Sequence, residues 1–500
     1  MPVALIKPGA ERLLWLALAA LSALPFLVAP IPVLPDLFTH IGRYHVMIHQ
    51  ADPWLRQYYA FDWHVLGNLG VDLLMALLGP LLGTERAAFF VTGCIPPVMI
   101  WGLYRLARAR FGHVPPPAYL ALLPVYSFTF FHGFVNYWLA VALVFHVAAS
   151  WLSVREKGPW ARFAFALVAG LVVWLCHTSA WGILGVLIAA IEFDQRVNWR
   201  RFIWGMVPWS APMLPMMIWR NTKGGGELFS RWNIQEKLSG VINLLRAEWE
   251  IFDIASVVAL ALILAWLCVS RHMRRDRAFM LCALGLLGLS IVLPSTVLSS
   301  YFADVRLYAP AVMIAFLGIT AVPQRFARPL LILAVAWFGL RTAETAIGWT
   351  QRGTEMSQDL AALDKVPMGA RIAVLGHSSE CGVWPLGGRS HAASLAIPRR
   401  HAFVNTEWDI PGQHLMQPIY NLGRGFNDAE SAELFNPVYG CPGYRVRTFL
   451  RFLPRDRFDF VWIWEADAPP SALHWLIPLY TGPTSRLYAI RKSTPPRSGG

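Results

Sequence analysis

Charge is what this chain has least of. Only 15% of its 500 residues are Asp, Glu, Lys or Arg, where a soluble globular protein carries about 25%. With 56% hydrophobic residues and a mean hydropathy of +0.45, the shortage excludes an ordinary soluble protein and defines a polytopic membrane protein. Cysteine is scarce as well. Of six, Cys94, Cys176, Cys268 and Cys282 lie in apolar runs, Cys381 and Cys441 lie in the polar C-terminal part, and no spacing suggests a zinc site. Repeats of solenoid period are absent, and the only low-complexity tract is the Pro/Gly/Ser tip at 494–500. Gly224–Gly226 is not followed by the Lys-Ser/Thr pair of a phosphate-binding P-loop. Acidic residues are outnumbered, giving a net charge of +13. Lys and Arg gathered in short loops on one side of a membrane account for that excess without a nucleic-acid partner.

What the chain does have is long apolar runs. The first, Leu13 to Leu34, follows Lys7 and Arg12, lacks a small-residue cleavage site and reads as a retained signal anchor. Further runs near 87–106, 115–131, 135–153, 160–176, 178–191, 202–218, 254–270, 278–294, 307–322 and 329–347 bring the expectation to about eleven crossings. The run 65–82 contains Asn68, Asp72, glycines and a proline. If it does not cross, the basic segments Arg105–Arg110, Arg155–Arg162, Arg196–Arg201, Arg271–Arg277 and Arg325–Arg328 all face the cytoplasm with the N-terminus. It is therefore read as a juxtamembrane or re-entrant segment packed on protein. The same parity puts 35–64, the loop 220–253, Ser295–Arg306 and everything after about Ala346 on the outer face. The 23 tryptophans suit the interfaces between.

The expected organisation is a transmembrane domain over 1–350, with outer loops 35–86 and 220–253, followed by an extracytoplasmic α/β domain over 351–500. Strand character appears at Arg371–Leu375, Phe403–Thr406, Phe458–Trp464 and Arg486–Ile490, and helical character at Met356–Leu363 and Ser471–Leu476. Cys381 and Cys441 share an oxidising compartment in this topology, where a bridge would contribute about 4 kcal/mol. Two free thiols are the alternative.

The densest chemistry lies between Val33 and His64. There VLPDLFTHIGRYHVMIHQADPWLRQYYAFDWH packs three acids, four histidines and two arginines among aromatics. If Asp36–Asp52 is helical, Asp36, His40 and Arg43 share one face at i, i+4 and i+7, and His45, His49 and Asp52 repeat the spacing on a neighbouring face. An acid at the outer end of the first helix marks function by default. Asp36 is suited to deprotonate an acceptor hydroxyl, with a helix N-cap as the bland alternative. The second face would suit a divalent metal, with His45, His49 and Asp52 as ligands, or it is the solvated side of an interfacial helix. Arg43 with its neighbouring histidines would suit a phosphate. Arg306, in SSYFADVRLYAP, is a lone outer arginine fit for a phosphate unless Asp304 pairs with it. His177, in LCHTSAW, either faces the same cavity or caps a helix. Lys223, Arg231 and Lys237 belong to a loop that is either a lid or a connection.

These features resemble the C-type glycosyltransferases of the GT-C superfamily. The resemblance rests on an inside N-terminus, a first helix ending in Asp36, the long outer loop 35–86, a second long loop 220–253, and the PDLFTHIGRYHVM stretch, which is similar to a D-x-x-x-H-x-x-R pattern. It implies a GT-C-like fold in a bacterial inner membrane, and transfer of a sugar from a polyprenyl-phosphate carrier to a glycan, lipid or protein acceptor. Asp36 would be the catalytic carboxylate, with His40, Arg43, His45, His177, Lys223 and Arg306 around the substrate. Many relatives carry paired acids where Asp36 here stands beside Leu37. The competing readings are a transporter or flippase of lipid-linked saccharides, a non-catalytic assembly subunit, and a metal-dependent outer-face phosphatase. Transporters usually show internal repeats and broken helices meeting at mid-membrane; here the polar residues collect at one surface.

Overall fold

A computed structural model describes residues 7–193, 199–223, 232–297, 300–377, 383–387, 389–408, 414–420, 426, 429–435 and 443–492. Among these, Thr84–Phe111, Val135–Val154, Pro159–Cys176, Glu250–Val269 and Gln324–Lys365 are long and apolar enough to cross a membrane by length and composition. Four shorter apolar helices, Gly70–Leu82, Thr178–Phe193, Arg277–Val292 and Val305–Leu317, accompany them. The ambiguous run 65–82 is thus largely a helix, packed on Pro35–Ile48, Thr84–Phe111 and Val135–Val154.

Local sequence explains the ends of these elements. Thr84–Phe111 opens after Gly83 with Glu85 in its first turn. It closes with Arg108 and Arg110 in its last turn and Gly112 in the left-handed conformation (φ 76°), whose N–H bonds Arg108 O. Acid first, base last and a left-handed glycine cap complement the helix dipole and its orphan carbonyls. At Gly102 an added Cβ would lie 3.1 Å from Phe145 and His146, so the glycine lets Val135–Val154 approach closely. The expected span 115–131 is not an α-helix throughout. Pro116–Tyr126 is a buried 3-10 helix that continues into Phe128–Phe131. Pro115, Pro116, Pro117 and Pro124 supply no N–H to an α-helical ladder. Such backbone is tolerated at membrane depth only where protein surrounds it, and here Gln324–Leu360, Tyr308–Leu317 and Thr84–Phe111 do so.

Gln324–Leu360 is one continuous helix and carries the chain into the C-terminal region. A five-stranded sheet follows, in the order Phe403–Val404, Arg371–Leu375, Phe460–Trp464, Ser485–Ile490, Leu476–Thr481. The first three strands run parallel and the last two pair antiparallel. Helix was expected at 471–476. The chain instead makes a 3-10 turn at Pro470–Ala472 and then the edge strand, whose Pro478, bulge and largely exposed residues erase the usual alternation. Cys381 and Cys441 lie outside the described residues, as does Arg231.

The sheet domain is fastened to the first loop. Tyr59–Phe61 pairs antiparallel with Met416–Pro418. Tyr58 Oη donates to Gly369 O (2.5 Å), and Val404 N–H donates to Tyr59 Oη (3.1 Å). Arg399 forms a two-point bond with Glu85 (2.8 and 2.9 Å). The second loop is fixed through Arg246, whose guanidinium donates to Trp384 O and Val383 O.

Candidate active site

The helix Pro35–Ile48 is the spine of the site. Pro35 occupies its first turn, where a missing N–H costs nothing. Leu34 is the N-cap residue and makes no side-chain cap bond. Asp36 is therefore inside the first turn and not the cap. Its N–H donates to His132 O (2.9 Å), and its half-buried side chain is coupled through space to the buried Arg306. Gly133 makes this approach possible: its φ is +96°, and a Cβ there would sit 2.8 Å from Leu37 N and 3.2 Å from Asp36 Cβ.

Arg306 is 6% exposed. Asp304 does not pair with it, because one Asp304 oxygen takes the Lys237 ammonium (2.8 Å) and the other accepts Val305 N–H (2.8 Å). Arg306 instead lies over the rings of Phe134 (4.3 Å) and Tyr137 (5.5 Å), with Nη1 2.9 Å from His177 Nε2. His177 Nδ1 already faces the Ser179 N–H (3.1 Å). A neutral imidazole accepts at one nitrogen only, so Ser179 and Arg306 compete for a single acceptor. Arg306 Nε has no hydrogen-bond partner, and among the described residues no carboxylate forms an ion pair with this guanidinium. A buried cation in that state calls for an anion. His132 and Arg246 share its neighbourhood electrostatically.

Along the same helix face, Arg43 is buried and held by Asp72 (3.0 and 3.1 Å), and Asn136 bonds the same carboxylate (3.0 Å). Arg43 is thus paired from within, while its Nε has no hydrogen-bond partner. His40 lies between these two ends. Burial, then Arg43, His414 and His391, keep its imidazole well below its ordinary pKa. Across the face stand C-terminal residues: His391, with Nδ1 buried and unbonded, and Glu407, 2% exposed with Oε1 unbonded. Burial pushes the Glu407 carboxyl up to about 8, against weaker lowering by Ser394 and Arg43. Gly42 leaves room for that carboxyl, since a Cβ there would stand 2.8 Å from Glu407 Oε1.

The second face is arranged differently. His45 and His49 stack at 4.1 Å, and His45 Nδ1 bonds Thr84 Oγ1 (3.1 Å). The helix ends at Ile48, so Asp52 lies beyond it, accepting the Trp54 and Leu55 N–H groups and bonding His401 Nδ1 (2.9 Å). Among the described residues no group of three or more His, Cys, Asp or Glu is arranged to hold a metal ion. Lys237 is buried and saturated by Asp304, Ser290 O and Leu293 O. Lys223 ends the helix Met213–Lys223, and its side chain lies outside the description.

Sequence reasoning did not single out His132, Arg246, His391, Glu407 or His414. His132, in FFHGF at the end of an apolar run, carries the same signal that drew attention to His177. The others come from segments far along the chain with no local signature.

Comparison with solved structures matches the crystal structure of ArnT from Cupriavidus metallidurans bound to undecaprenyl phosphate. The match spans 97% of this chain and 98% of that one, with a TM-score of 0.52 and 12% identity. The chain therefore shares the fold of that protein, in agreement with the GT-C-like fold that the resemblance implied. No protein-family model matches the chain, and neither does any curated protein.

Proposed function

We propose that this chain is a bacterial inner-membrane glycosyltransferase that moves a sugar from a polyprenyl-phosphate carrier to an envelope acceptor on the outer face. About eleven crossings, a cytoplasmic N-terminus and an extracytoplasmic sheet domain belong to this reading. The observation that carries it is Arg306, buried, without a carboxylate ion-pair partner among the described residues and beside Asp36. The fold shared with a protein crystallised with undecaprenyl phosphate adds support.

In the proposed reaction the acceptor O–H gives its proton to the Asp36 carboxylate while its oxygen attacks the anomeric carbon. The bond from that carbon to the phosphate oxygen breaks, and the electron pair leaves with the polyprenyl phosphate. Arg306 and Arg246 take up the negative charge of the leaving phosphate, aided by His177 and His132. Because phosphate leaves readily, the protein supplies mainly positioning and charge neutralisation. Displacement from the opposite side inverts the anomeric centre. His40, His391 and Glu407 face the sugar, and Arg43, locked to Asp72, positions the helix that carries Asp36.

The test compares envelope glycans and lipid-linked sugars in a deletion strain carrying wild-type protein or Asp36→Asn at matched levels. The variant is expected to behave as the deletion, losing a glycan while a polyprenyl-phosphate sugar accumulates. Full restoration by Asp36→Asn would remove the catalytic assignment and favour a transport or assembly role.

A further inference from the structure

Thr84–Phe111 and Val135–Val154 both begin at the Asp36 end, where Thr84 bonds His45 and Asn136 bonds Asp72. Some 15–20 residues along, about 20–30 Å away at 1.5 Å per residue, they flank an open cleft of about 430 Å³ lined by Tyr104, Arg105, Arg108, Ser150 and Ser153 among others. Two arginines and two hydroxyls converge there. Arg105 is held by neutral acceptors only. Its Nη1 bonds His146 Nδ1 (2.9 Å) and its Nη2 bonds Ser150 Oγ (3.1 Å). The imidazole is itself fixed, since Nε2 bonds Val98 O (3.0 Å). Arg108 reaches its nearest carboxylate, Glu11, at 3.5 Å, and the other Glu11 oxygen accepts the Val114 N–H (3.1 Å). By contrast Arg110, at the same helix end, is matched by Asp276 at 2.8 Å. The cleft therefore keeps a cationic excess that the neighbouring surface has neutralised.

The residues around it are those of a membrane interface. Trp101 stacks on Tyr104 (4.7 Å) and lies under Arg12 (6.0 Å), and Trp151 lies near Arg162 (5.9 Å). Tryptophan and arginine at one level mark the headgroup layer, and basic pockets between helices at that level suit phosphate headgroups. We propose that this cleft binds the phosphodiester head group of an anionic phospholipid. Arg105 and Arg108 are its charged donors, Ser150 and Ser153 its hydroxyl donors. The pre-oriented guanidinium of Arg105 gives directional bonds to a phosphate that a solvated surface charge would not. An acyl chain would then run along the seam between the two helices. The site is separate from Asp36 and does not depend on the transferase reading.

The test is native mass spectrometry of the purified full-length protein after exposure to equal amounts of phosphatidylglycerol and phosphatidylcholine. Wild type is expected to retain phosphatidylglycerol selectively. Arg105→Gln with Arg108→Gln should reduce that retention at least fivefold and leave phosphatidylcholine adducts unchanged. Arg105→Lys with Arg108→Lys, which keeps the charge and loses the planar fork, should fall between. Equal retention in all three proteins would overturn the site. Displacement of the lipid by millimolar inorganic phosphate would overturn the assignment to a lipid. If the variants do not fold, photoactivatable phosphatidylglycerol on wild type decides: labelling within 104–109 or 149–154 supports the site, and labelling only elsewhere removes it.

Discussion

Two buried cations lie close to Asp304, Lys237 bonded to it and Arg306 two residues on, and have opposite surroundings. Lys237 is saturated, with a carboxylate and two carbonyls around its ammonium. Arg306 has two aromatic faces, a contested imidazole and an unbonded Nε. Arg341 resembles Lys237 in its carboxylate, bonding Asp253 (2.7 Å) and Leu245 O (2.6 Å), although its Nε is unbonded like that of Arg306, so the carboxylate and not Nε separates the two kinds. Internally paired cations hold the loops to the helices. Arg306, coupled to Asp36 through space but in no carboxylate ion pair among the described residues, carries a burial cost that an anionic ligand would offset in the proposed reaction. What each cation already touches thus separates those neutralised within the fold from the one proposed to meet the carrier phosphate.

The sharpest way to break this comparison is to remove one member of each kind. Asp304→Asn leaves Lys237 buried without its counter-charge and should lower stability by about 3–5 kcal/mol, measured as loss of the folded fraction on heating in detergent. Arg306→Gln should leave stability within about 1 kcal/mol, yet reduce transfer about 10²–10³-fold, the scale of losing one charge-stabilising donor. If Arg306→Gln destabilised as much as Asp304→Asn, the distinction would collapse.

Gly133→Ala ranks next. It forces a side chain into positive φ and toward Leu37 N, so about 1–3 kcal/mol of strain is expected, felt as displacement of the Asp36 turn. Lower activity with the overall fold retained in the circular dichroism spectrum is the predicted result; unchanged activity would mean that the turn tolerates the shift.

The smallest effect concerns the C-terminal half of the chamber. Glu407 has its folded pKa raised to about 8, above the ordinary carboxyl value near 4.5. The folded state therefore keeps a proton that the unfolded chain releases, and the stability from this group, complete below about 4.5, is lost as pH rises through about 8. Glu407→Gln, which stays neutral, should flatten the decline of melting temperature with pH between those values. An unchanged profile would show that Glu407 does not hold the proton.

Some of this site was legible locally. The i, i+4, i+7 spacing of Asp36, His40 and Arg43 placed one face of a helix correctly, because Pro35–Ile48 is helical and period alone fixes what shares a face. The second face was only partly legible, since the helix stops at Ile48 and Asp52 rejoins the histidines through His401, 349 residues away. The edge strand Leu476–Thr481 escaped notice because its exposed side carries no alternation. The partners of Arg43 and Lys237 could not be read at all, because Asp72 and Asp304 are far along the chain and only packing brings them in.

The sequence by itself determined a membrane protein with apolar helices, a sheet-containing C-terminal domain and an ionisable band after the first helix, since hydrophobic runs and helical period are properties of neighbouring residues. Only the tertiary structure decided which cations are neutralised within the fold, and that His391 and Glu407 stand against the helix that carries Asp36. Those outcomes depend on distance and burial between segments tens to hundreds of residues apart, and no local pattern encodes them.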